Sequence, residues 1–386
     1  MPATGQSQGL AMDAFDYALP DAAIAQRPVE PRSAARMLVT GALSDAGEVG
    51  HATVADLPHY LRPGDVLVVN HTRVLAARLA LVKQSGGAAE VLLLEPAPSG
   101  AGAQPAAVWE ALVRPGRRLP PGTQLWEPAG SAETGSEPAG SAETGSGPTG
   151  AGPVVEVGDP VAGHDDGRRW VRLMEPSVVD RAGSMPLPPY IHTPLQDPER
   201  YQTVYCAPSD RGAQSTAAPT AGLHLTPAVL DACRAAGASI ATVDLAIGLD
   251  TFRPVTAPTP EEHVIHSERY AVPAETMEAC RQASRVVAIG TTTVRALESA
   301  AATGRLSGRT DLYIHGDYPF SVVDVLLTNF HMPRSTLLLM VEAFCGPEWR
   351  DLYSIALEEG YRFLSFGDAM LVANRASSYP DGRTGG

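Results

Sequence analysis

Residues 285–300, RVVAIGTTTVRALESA, decide the fold class of this chain. The apolar run Val286–Ile289 predicts a buried strand that ends at Gly290, and a helical pattern follows the three threonines. A strand, a short turn and a helix in succession direct backbone N–H groups toward an anion. Arg295 and Glu298 are three residues apart, so we expect them on one helix face, in the wall of a site. Because GxGxxG and Walker patterns are absent, a capped core helix with a surface ion pair is the alternative interpretation.

Composition places the chain among soluble globular proteins. Its 386 residues are 44% hydrophobic, and no apolar run reaches the length of a membrane span. The N-terminal residues lack the basic start and apolar block of a signal peptide, and the four cysteines show no metal-binding spacing. We therefore expect a cytoplasmic protein without a structural metal. The net charge of −14 argues against a general nucleic-acid binder but leaves room for a local basic face.

The residue pattern that predicts secondary structure changes twice along the chain. Residues 76–182 contain short β-rich runs separated by Gly and Pro, whereas the flanking regions alternate strand and helix patterns. The sequence thus predicts an α/β fold: a large mixed α/β domain, residues 13–75 plus 183–375, with an inserted small all-β barrel domain. Within the large domain, Tyr201–Cys206 (YQTVYC) is predicted to be a strand.

A low-complexity repeat interrupts the β-rich region. The sequence EPAGSAETGS occurs twice in tandem, at Glu127–Ser136 and Glu137–Ser146. The repeat has no apolar residue larger than alanine and cannot bury a core. We expect residues 127–152 to form a disordered loop between two strands of the barrel.

Polar clusters follow apolar strands at five places in the predicted α/β domain. Open α/β sheets bind ligands beyond the carboxyl ends of their strands. One such cluster is ordinary, but five predict a shared rim around one pocket. The clusters are Asn70–Arg78, Ala218–His224, Gly248–Arg253, Thr291–Glu298 and Thr328–His331.

Several residues in and near these clusters suit acid–base chemistry or close ligand contact. Small residues around Thr220 and Gly222 let the backbone approach a ligand, and His224 follows them. His263 and His266 are three residues apart, but no third ligand has a zinc-site spacing. We therefore predict a proton-transfer or substrate-contact role for this segment.

The motifs together resemble the S-adenosylmethionine:tRNA ribosyltransferase-isomerase family. The matching stretches run in order from about residue 15 to 372 and include FDYALPDAAIAQRP, RPGDVLVVN, MPLPPYI, AAPTAGLHLTP, VVAIGTTTVRALES, VVDVLLTNFHMPRSTLL and YRFLSFGDAM. The resemblance implies a large α/β domain with an inserted β-barrel. It also implies transfer of the ribosyl part of S-adenosylmethionine to 7-aminomethyl-7-deazaguanine (preQ1) at the tRNA wobble position. Adenine and methionine leave, and the sugar rearranges to give epoxyqueuosine.

The resemblance also implies partners and residue roles. The substrates are S-adenosylmethionine, as co-substrate and with no further cofactor or metal, and a preQ1-modified tRNA with a GUN anticodon. We expect a monomer without membrane association. The catalytic candidates are His224, His266, Glu268, His331 and Asp368, with His224 and His266 chosen for proton transfer. The substrate-binding candidates are Asn70, Arg73, Thr220, Gly222, Arg253, Thr291, Thr292, Thr293, Arg295, Glu298 and Asn329. Arg295 and the three threonines would hold the methionine carboxylate or a phosphate.

Three departures from the family pattern leave alternatives open. Ala246 stands in place of a histidine and Asp250 in place of a glycine, and His71 precedes TRV where Asn or Asp is usual. A divergent paralogue that acts on another amine, or an inactive S-adenosylmethionine- or tRNA-binding relative, are therefore alternatives. A tRNA substrate would need a basic face, for which the candidates are Arg27, Arg32, Arg36, Arg73, Arg78, Arg334 and Arg362.

Overall fold

The computed structural model describes residues 11–44, 47–97, 107–129, 152–163, 167–208, 214–248 and 254–376. These residues form a mixed α/β structure, as predicted, with most of the strands in two large sheets. In chain order the strands are β1 (Arg36–Val39), β2 (Gly50–Thr53), β3 (Val66–Asn70), β4 (Arg73–Val74), β5 (Arg78–Val82), β6 (Ala88–Pro96), β7 (Val108–Arg114), β8 (Gln124–Leu125), β9 (Val155–Pro160), β10 (Arg168–Leu173), β11 (Gly183–Ser184), β12 (Gln214–Ser215), β13 (Ser239–Leu245), β14 (Glu268–Ala271), β15 (Val286–Ile289), β16 (Ser307–Thr310), β17 (Val325–Asn329) and β18 (Ala369–Ala373).

Local sequence signals set the starts of the α-helices. The hydroxyls of Thr226 and Ser335 accept hydrogen bonds from the backbone N–H groups of Val229 and Leu338, which caps two helices. Gly290 precedes a third helix with φ of 89°, a conformation that favours glycine. The helices are α1 (Val178–Ala182), α2 (Pro227–Ala235), α3 (Ala274–Gln282), α4 (Thr291–Thr303), α5 (Thr336–Cys345) and α6 (Trp349–Glu358).

The larger sheet has nine strands in the order β16-β14-β13-β3-β15-β17-β18-β1-β2. Its centre, β13-β3-β15-β17, is parallel. Toward one edge, β14 pairs antiparallel with β13 and with β16. Toward the other edge, β18 pairs antiparallel with β17 and parallel with β1, and β2 pairs antiparallel with β1. Carboxyl ends of parallel strands lie along one edge of a sheet. The segments after β3, β13, β15 and β17 therefore meet at one edge.

Side chains of the central strands alternate between two hydrophobic cores. Val66 and Val68 of β3 pack in the core that contains residues of α3, α4, α5 and α6. Leu67 and Val69 face the opposite core, which contains residues of α2. This burial on both faces explains the continuous apolar run in the sequence of β3. The sheet is therefore a rigid middle layer that fixes the positions of the segments at its edge.

The second sheet has seven antiparallel strands in the order β11-β5-β6-β7-β10-β9-β8. It has its own hydrophobic core, which includes Trp109, Leu125 and Val157. Val82, at the end of β5, exchanges two backbone hydrogen bonds of 2.9 and 2.8 Å with Trp126, which follows β8. The second strand of the sheet order, β5, therefore bonds to the residue that follows the last strand, β8.

Two sequence-based expectations were wrong in detail. Tyr201–Cys206 is not a strand, because Tyr201 ends a 3₁₀ turn (Pro198–Tyr201) and turns follow it. Glu127, assigned to the disordered loop, is buried and pairs with Arg181, so the chain is ordered at that residue. Residues 130–151 of the predicted loop lie outside the described residues.

Candidate functional site

A large cavity of about 280 Å³ lies at the carboxyl edge of the parallel strands. One wall is the first turn of α4, and helix starts carry backbone N–H groups without intrahelical acceptors and a partial positive charge. The opposite walls are largely apolar. The lining residues are Gly248, Pro254, Thr256, His263, Ile265, His266, Glu268, Thr291, Thr292, Arg295, Leu312, Tyr313, Ile314, Thr336, Leu337 and Met340. The cavity therefore suits a ligand with both apolar and charged parts.

Two narrow cavities of about 30 Å³ each extend this space along the sheet edge. The first shares Thr291 and Thr292 with the large cavity, and the second shares Thr220, Asn329 and His331 with the first. Four of the five predicted polar clusters thus contribute to one row of cavities. The cluster Asn70–Arg78 is the exception among the described lining residues.

A buried ion pair between Glu268 and Arg295 forms part of the wall of the large cavity. The other oxygen of Glu268 accepts a 2.9 Å hydrogen bond from the Gly248 N–H. Arg295 also donates to backbone carbonyl oxygens, including those of Leu312 at 3.0 Å and His266 at 3.4 Å. The guanidinium group was predicted to hold an anion, but most of its donors serve the protein itself. Its main effect is to fix three segments of the cavity wall.

A second cavity of about 140 Å³ lies between the two sheets. It shares Gly248, His266 and Glu268 with the large cavity. These three residues form a partition between the two cavities. The exposed side chain of His266 is therefore accessible from both sides of this partition. Ala246, which stands in place of the family histidine, also lines the second cavity.

His224 lies behind Asn329 rather than in the cavity lining. The Asn329 amide donates to the carbonyl of Leu364 at 3.2 Å and to Nε2 of His224 at 3.1 Å, while its oxygen accepts from Thr220 at 2.9 Å. Because the carbonyl partner fixes the amide orientation, Nε2 of His224 accepts and its ring proton sits on Nδ1. Burial lowers the pKa of His224 to about 4, and nearby Arg362 and Arg32 act in the same direction against Asp368. His224 is therefore neutral at pH 7.

His331 is also buried and neutral. Burial lowers its pKa to about 3. Nε2 of the ring lies 2.9 Å from the hydroxyl of Thr328. The backbone N–H of His331 donates to the Tyr353 hydroxyl at 2.9 Å. Since a depressed pKa keeps the imidazole uncharged, His331 is suited to hydrogen bonding as a neutral ring at the narrow end of the site.

These two histidines predict a specific dependence of stability on pH. Their pKa values are about 4 and 3 in the folded protein and about 6.5 in the unfolded chain. The unfolded state therefore binds more protons between these values, so stability is full above about pH 6.5 and falls as the pH is lowered through that window. His331→Gln should reduce the slope by up to about 1.4 kcal/mol per pH unit. Urea denaturation between pH 5 and 7.5 measures it, and equal slopes in both proteins would contradict the assignment.

Other predicted binding residues face the protein interior. The Asn70 amide donates to Leu245 O and the Thr292 hydroxyl, and its oxygen accepts from the N–H groups of Thr72 and Leu245. With both donors and both lone pairs used, Asn70 positions the hydroxyl of Thr292 rather than a ligand. The Thr293 hydroxyl donates to Ile289 O at 2.7 Å and points away from the cavity.

Two carboxylates predicted for the site instead hold loops. Glu298 is fully buried and accepts from the N–H groups of Ser321, Val322 and Val323, so it does not share a surface with Arg295. Asp368 accepts from the backbone N–H of Arg36 and of Arg362. Neither lines the cavities described above.

Gly222 and Arg73 also have internal partners. A Cβ atom at Gly222 would lie 1.9 Å from the hydroxyl of Tyr205, so the close approach at this glycine serves a protein side chain. Nε of Arg73 donates to Ala207 O at 2.8 Å. Asp250 and Arg253 lie outside the described residues.

Six of the seven arginines suggested for a basic face have partners in the described structure. These are Arg32 with Gln202 O, Arg36 with Glu359 O, Arg73 with Ala207 O, Arg78 with Glu90, Arg334 with Asp13, and Arg362 with Asp368. Their charges are directed at the protein's own oxygen atoms. In the described structure, these six arginines therefore do not form a basic face of unpaired cations.

Sequence reasoning missed the apolar and aromatic half of the large cavity. Tyr313 lines it, with its ring centroid 5.5 Å from that of His263 and 4.6 Å from that of His315. Leu337 and Met340 of α5 supply another wall. Nothing in their local pattern distinguishes them from core residues, since they meet the site through tertiary packing.

Comparisons with known proteins agree with the motifs. A family model described as queuosine biosynthesis protein matches residues 12–372. An S-adenosylmethionine:tRNA ribosyltransferase-isomerase from Moorella thermoacetica is 46% identical over 94% of this chain and 99% of its own length. A Thermus thermophilus protein of that name is 44% identical, with the same coverage. A crystal structure of S-adenosylmethionine tRNA ribosyltransferase from Thermotoga maritima is 31% identical, covers 93% and 99% of the two chains, and has a TM-score of 0.48.

In the described ranges no helix is long and apolar enough to cross a membrane. Nor do they contain a group of three or more His, Cys, Asp or Glu side chains arranged to hold a metal ion. Because the family model matches nearly the whole chain and relatives 44–46% identical cover 94% of it, the chain belongs to the queuosine biosynthesis protein family.

Proposed function

We propose that this protein transfers and isomerises the ribosyl moiety of S-adenosylmethionine onto 7-aminomethyl-7-deazaguanine at the wobble position of a tRNA with a GUN anticodon. Epoxyqueuosine-tRNA forms, and adenine and methionine are released. S-adenosylmethionine is the co-substrate, and the proposal requires no other cofactor or metal. The protein would act as a monomer in the cytoplasm, which sedimentation and fractionation can test.

One geometric observation carries the proposal: two cavities share a partition made of Gly248, His266 and Glu268. A transferase that joins two substrates needs two binding spaces with a common reacting wall. The larger space offers apolar and aromatic surfaces for adenine and the start of α4 for a carboxylate. We therefore place S-adenosylmethionine there.

The roles of the titratable residues follow from their positions. A sulfonium group acidifies the adjacent C–H bonds, so a base can remove a proton there, and the acceptor amine must lose a proton to attack. His266 is exposed to both cavities and is our main candidate for these transfers. His224, with Nε2 unprotonated, can accept a proton once Asn329 moves but is not a resting proton donor at pH 7. Thr291 and Thr292 would contact the methionine carboxylate.

Adenine release from S-adenosylmethionine provides a direct test. We expect release only when an anticodon stem-loop that carries the aminomethyl-deazaguanine base is present, because the amine must take up the ribosyl group. Chromatographic detection of adenine, with an unmodified stem-loop as the control, measures this dependence. Release without the modified base would contradict the proposed transfer, because adenine would then leave without an acceptor for the ribosyl group.

The same assay separates the proposal from its alternatives. His224→Ala should lower the rate by about 100-fold or more while S-adenosylmethionine binding remains. Ala246, which replaces the family histidine, lines the second cavity. This replacement therefore favours the alternative in which the enzyme acts on a different acceptor. Wild-type protein that binds S-adenosylmethionine but releases no adenine with the modified stem-loop would support that alternative.

We further propose that residues 76–182 form an inserted all-β barrel domain in a catalytic domain made of residues 13–75 and 183–375. The hydrogen bonds between Val82 and Trp126 and the separate hydrophobic core of the second sheet support this division. The chain also enters and leaves the insertion at neighbouring points, because Gly183 lies against the carbonyl of Ala76.

A further inference from the structure

The second cavity, of about 140 Å³, combines an apolar surface with a paired carboxylate and guanidinium. Glu110 of β7 and Arg168 of β10 both line it, and Nη1 of Arg168 donates to Oε1 of Glu110 at 2.6 Å. Their side chains are 16% and 13% exposed. Leu94 and Leu112 lie beside them. A largely desolvated pair of this kind offers hydrogen-bond acceptors and donors side by side without a net charge.

The second sheet holds this pair in a fixed geometry. Glu110 is opposite Trp170, and Arg168 is opposite Leu112, so the two side chains are diagonal neighbours on one face of the antiparallel pair. The register between β6 and β7 shifts between Leu93 and Glu95. Such a bulge redirects side chains, and here the consecutive residues Leu94 and Glu95 both line the cavity.

The opposite rim comes from the large sheet. Arg309 of β16 pairs with Glu95 at 2.8 Å and donates to the Ser267 hydroxyl at 3.0 Å. The cavity thus lies between the two sheets, and its inner end is the partition at His266 and Glu268. A flat heterocycle that enters this space would place one edge against Glu110 and Arg168 and its opposite substituent toward the partition.

We propose that the second cavity binds the acceptor base and that Glu110 and Arg168 recognise the edge of a guanine-type heterocycle. This inference rests on the proposed function. That edge presents two adjacent N–H donors, the ring N1–H and the exocyclic amine, beside a carbonyl acceptor. A carboxylate accepts from both N–H groups, and the neighbouring guanidinium donates to the carbonyl. Enzymes that act on a base outside the helix read its Watson–Crick edge in this way. The aminomethyl group then points to Glu268 and His266.

Binding of two stem-loops, measured by calorimetry, tests this assignment. One carries 7-aminomethyl-7-deazaguanine, and the other carries the same base without the exocyclic 2-amino group. We expect wild-type protein to prefer the first by about 5- to 150-fold, the range that one bidentate contact provides. Glu110→Gln should lose most of that preference by weakening the first complex, because an amide cannot accept both N–H groups. The affinity for S-adenosylmethionine should remain at the wild-type value.

Glu90→Gln is the matched control. Glu90 forms a comparable cross-strand pair with Arg78 in the same sheet, at 3.2 Å and with 23% exposure, and it is not a lining residue of either cavity. This variant should keep the wild-type preference. An unchanged preference in Glu110→Gln, or no preference in the wild type, would overturn the inference. Failure of adenine release with intact base discrimination would instead count against the proposed function alone, so the two failures are distinguishable.

Discussion

Replacing Glu268 with glutamine is expected to lower the free energy of unfolding by about 3–5 kcal/mol and to reduce adenine release by about 100-fold or more. The side chains of Glu268 and Arg295 are 8% and 9% exposed, so the variant leaves a guanidinium buried without its counter-charge. The activity falls for a second reason. Glu268 receives the Gly248 N–H, and its pairing with Arg295 fixes the wall that carries His266. Urea denaturation and the adenine-release assay measure the two effects.

Asp65→Asn is the control that separates stability from chemistry. Asp65 pairs with Arg285 through hydrogen bonds of 3.1 and 2.6 Å, and the two side chains are 0% and 8% exposed. This pair lies at the amino ends of β3 and β15, at the sheet edge opposite the cavities. Asp65→Asn should cost a similar amount of stability but leave kcat and KM of the folded enzyme unchanged. If both variants had the same kinetic constants, Glu268 would be a structural residue and the partition would have no role in transfer.

A double variant sharpens the same argument. Substitution of both members of a buried ion pair by apolar or neutral side chains removes the uncompensated charge and is often close to neutral. Glu268→Gln combined with Arg295→Met should therefore recover most of the lost unfolding free energy. Activity should stay low, because the Gly248 and His266 segments have lost their common anchor. Recovery of activity together with stability would show that charge balance alone, and not the geometry of the wall, limits the reaction.

The location of the candidate site was predictable from the sequence because strand exits are local features. Apolar runs at Val66–Val69 and Val286–Ile289 fix the buried parallel strands, and the polar residues after such strands must meet at one edge. This reasoning correctly brought Thr291 and Thr292 together with Asn329 and His331 along one row of cavities.

The partner of each side chain was not predictable, because it depends on tertiary packing. Glu298 follows Arg295 at helical spacing, yet its carboxylate turns to the backbone of residues 321–323. Tyr201 resembles a strand residue in its local pattern, but its ring packs edge-on against Phe366 at 5.9 Å, where the chain turns. Glu110 and Arg168 gave no signal in the β-rich region, since an ordinary cross-strand pair has the same pattern. Polar side chains that serve a ligand and those that serve a loop look alike in sequence.

Gly183→Ala is expected to destabilise the protein by about 3 kcal/mol, at the upper end of the usual cost of overpacking. An added Cβ atom would lie 2.1 Å from the carbonyl oxygen of Ala76 and 2.2 Å from that of Val179. Both are backbone atoms and cannot rotate away, so the chain segments must separate. Gly183 has φ of −75°, so the cost is steric and does not arise from a backbone angle reserved for glycine. Gly116→Ala is the control, because its added Cβ atom would meet nothing within 4 Å.

The same variant tests whether residues 76–182 are an inserted domain. Three of the four tryptophans, Trp109, Trp126 and Trp170, lie in or beside the second sheet, so tryptophan fluorescence reports mainly on that sheet. The helical signal in far-ultraviolet circular dichroism comes instead mainly from α2–α6, which lie outside residues 76–182. If Ala76 and Gly183 form the junction of two domains, the added methyl group separates them and weakens the coupling between the domains. The urea transitions followed by fluorescence and by circular dichroism should then differ in Gly183→Ala and coincide in Gly116→Ala. Coincident transitions in both variants, shifted together in Gly183→Ala, would mean that the two sheets unfold as one cooperative unit. The second cavity would then be an internal cleft of one domain, and its width would be set by rigid packing instead of by a movable interface.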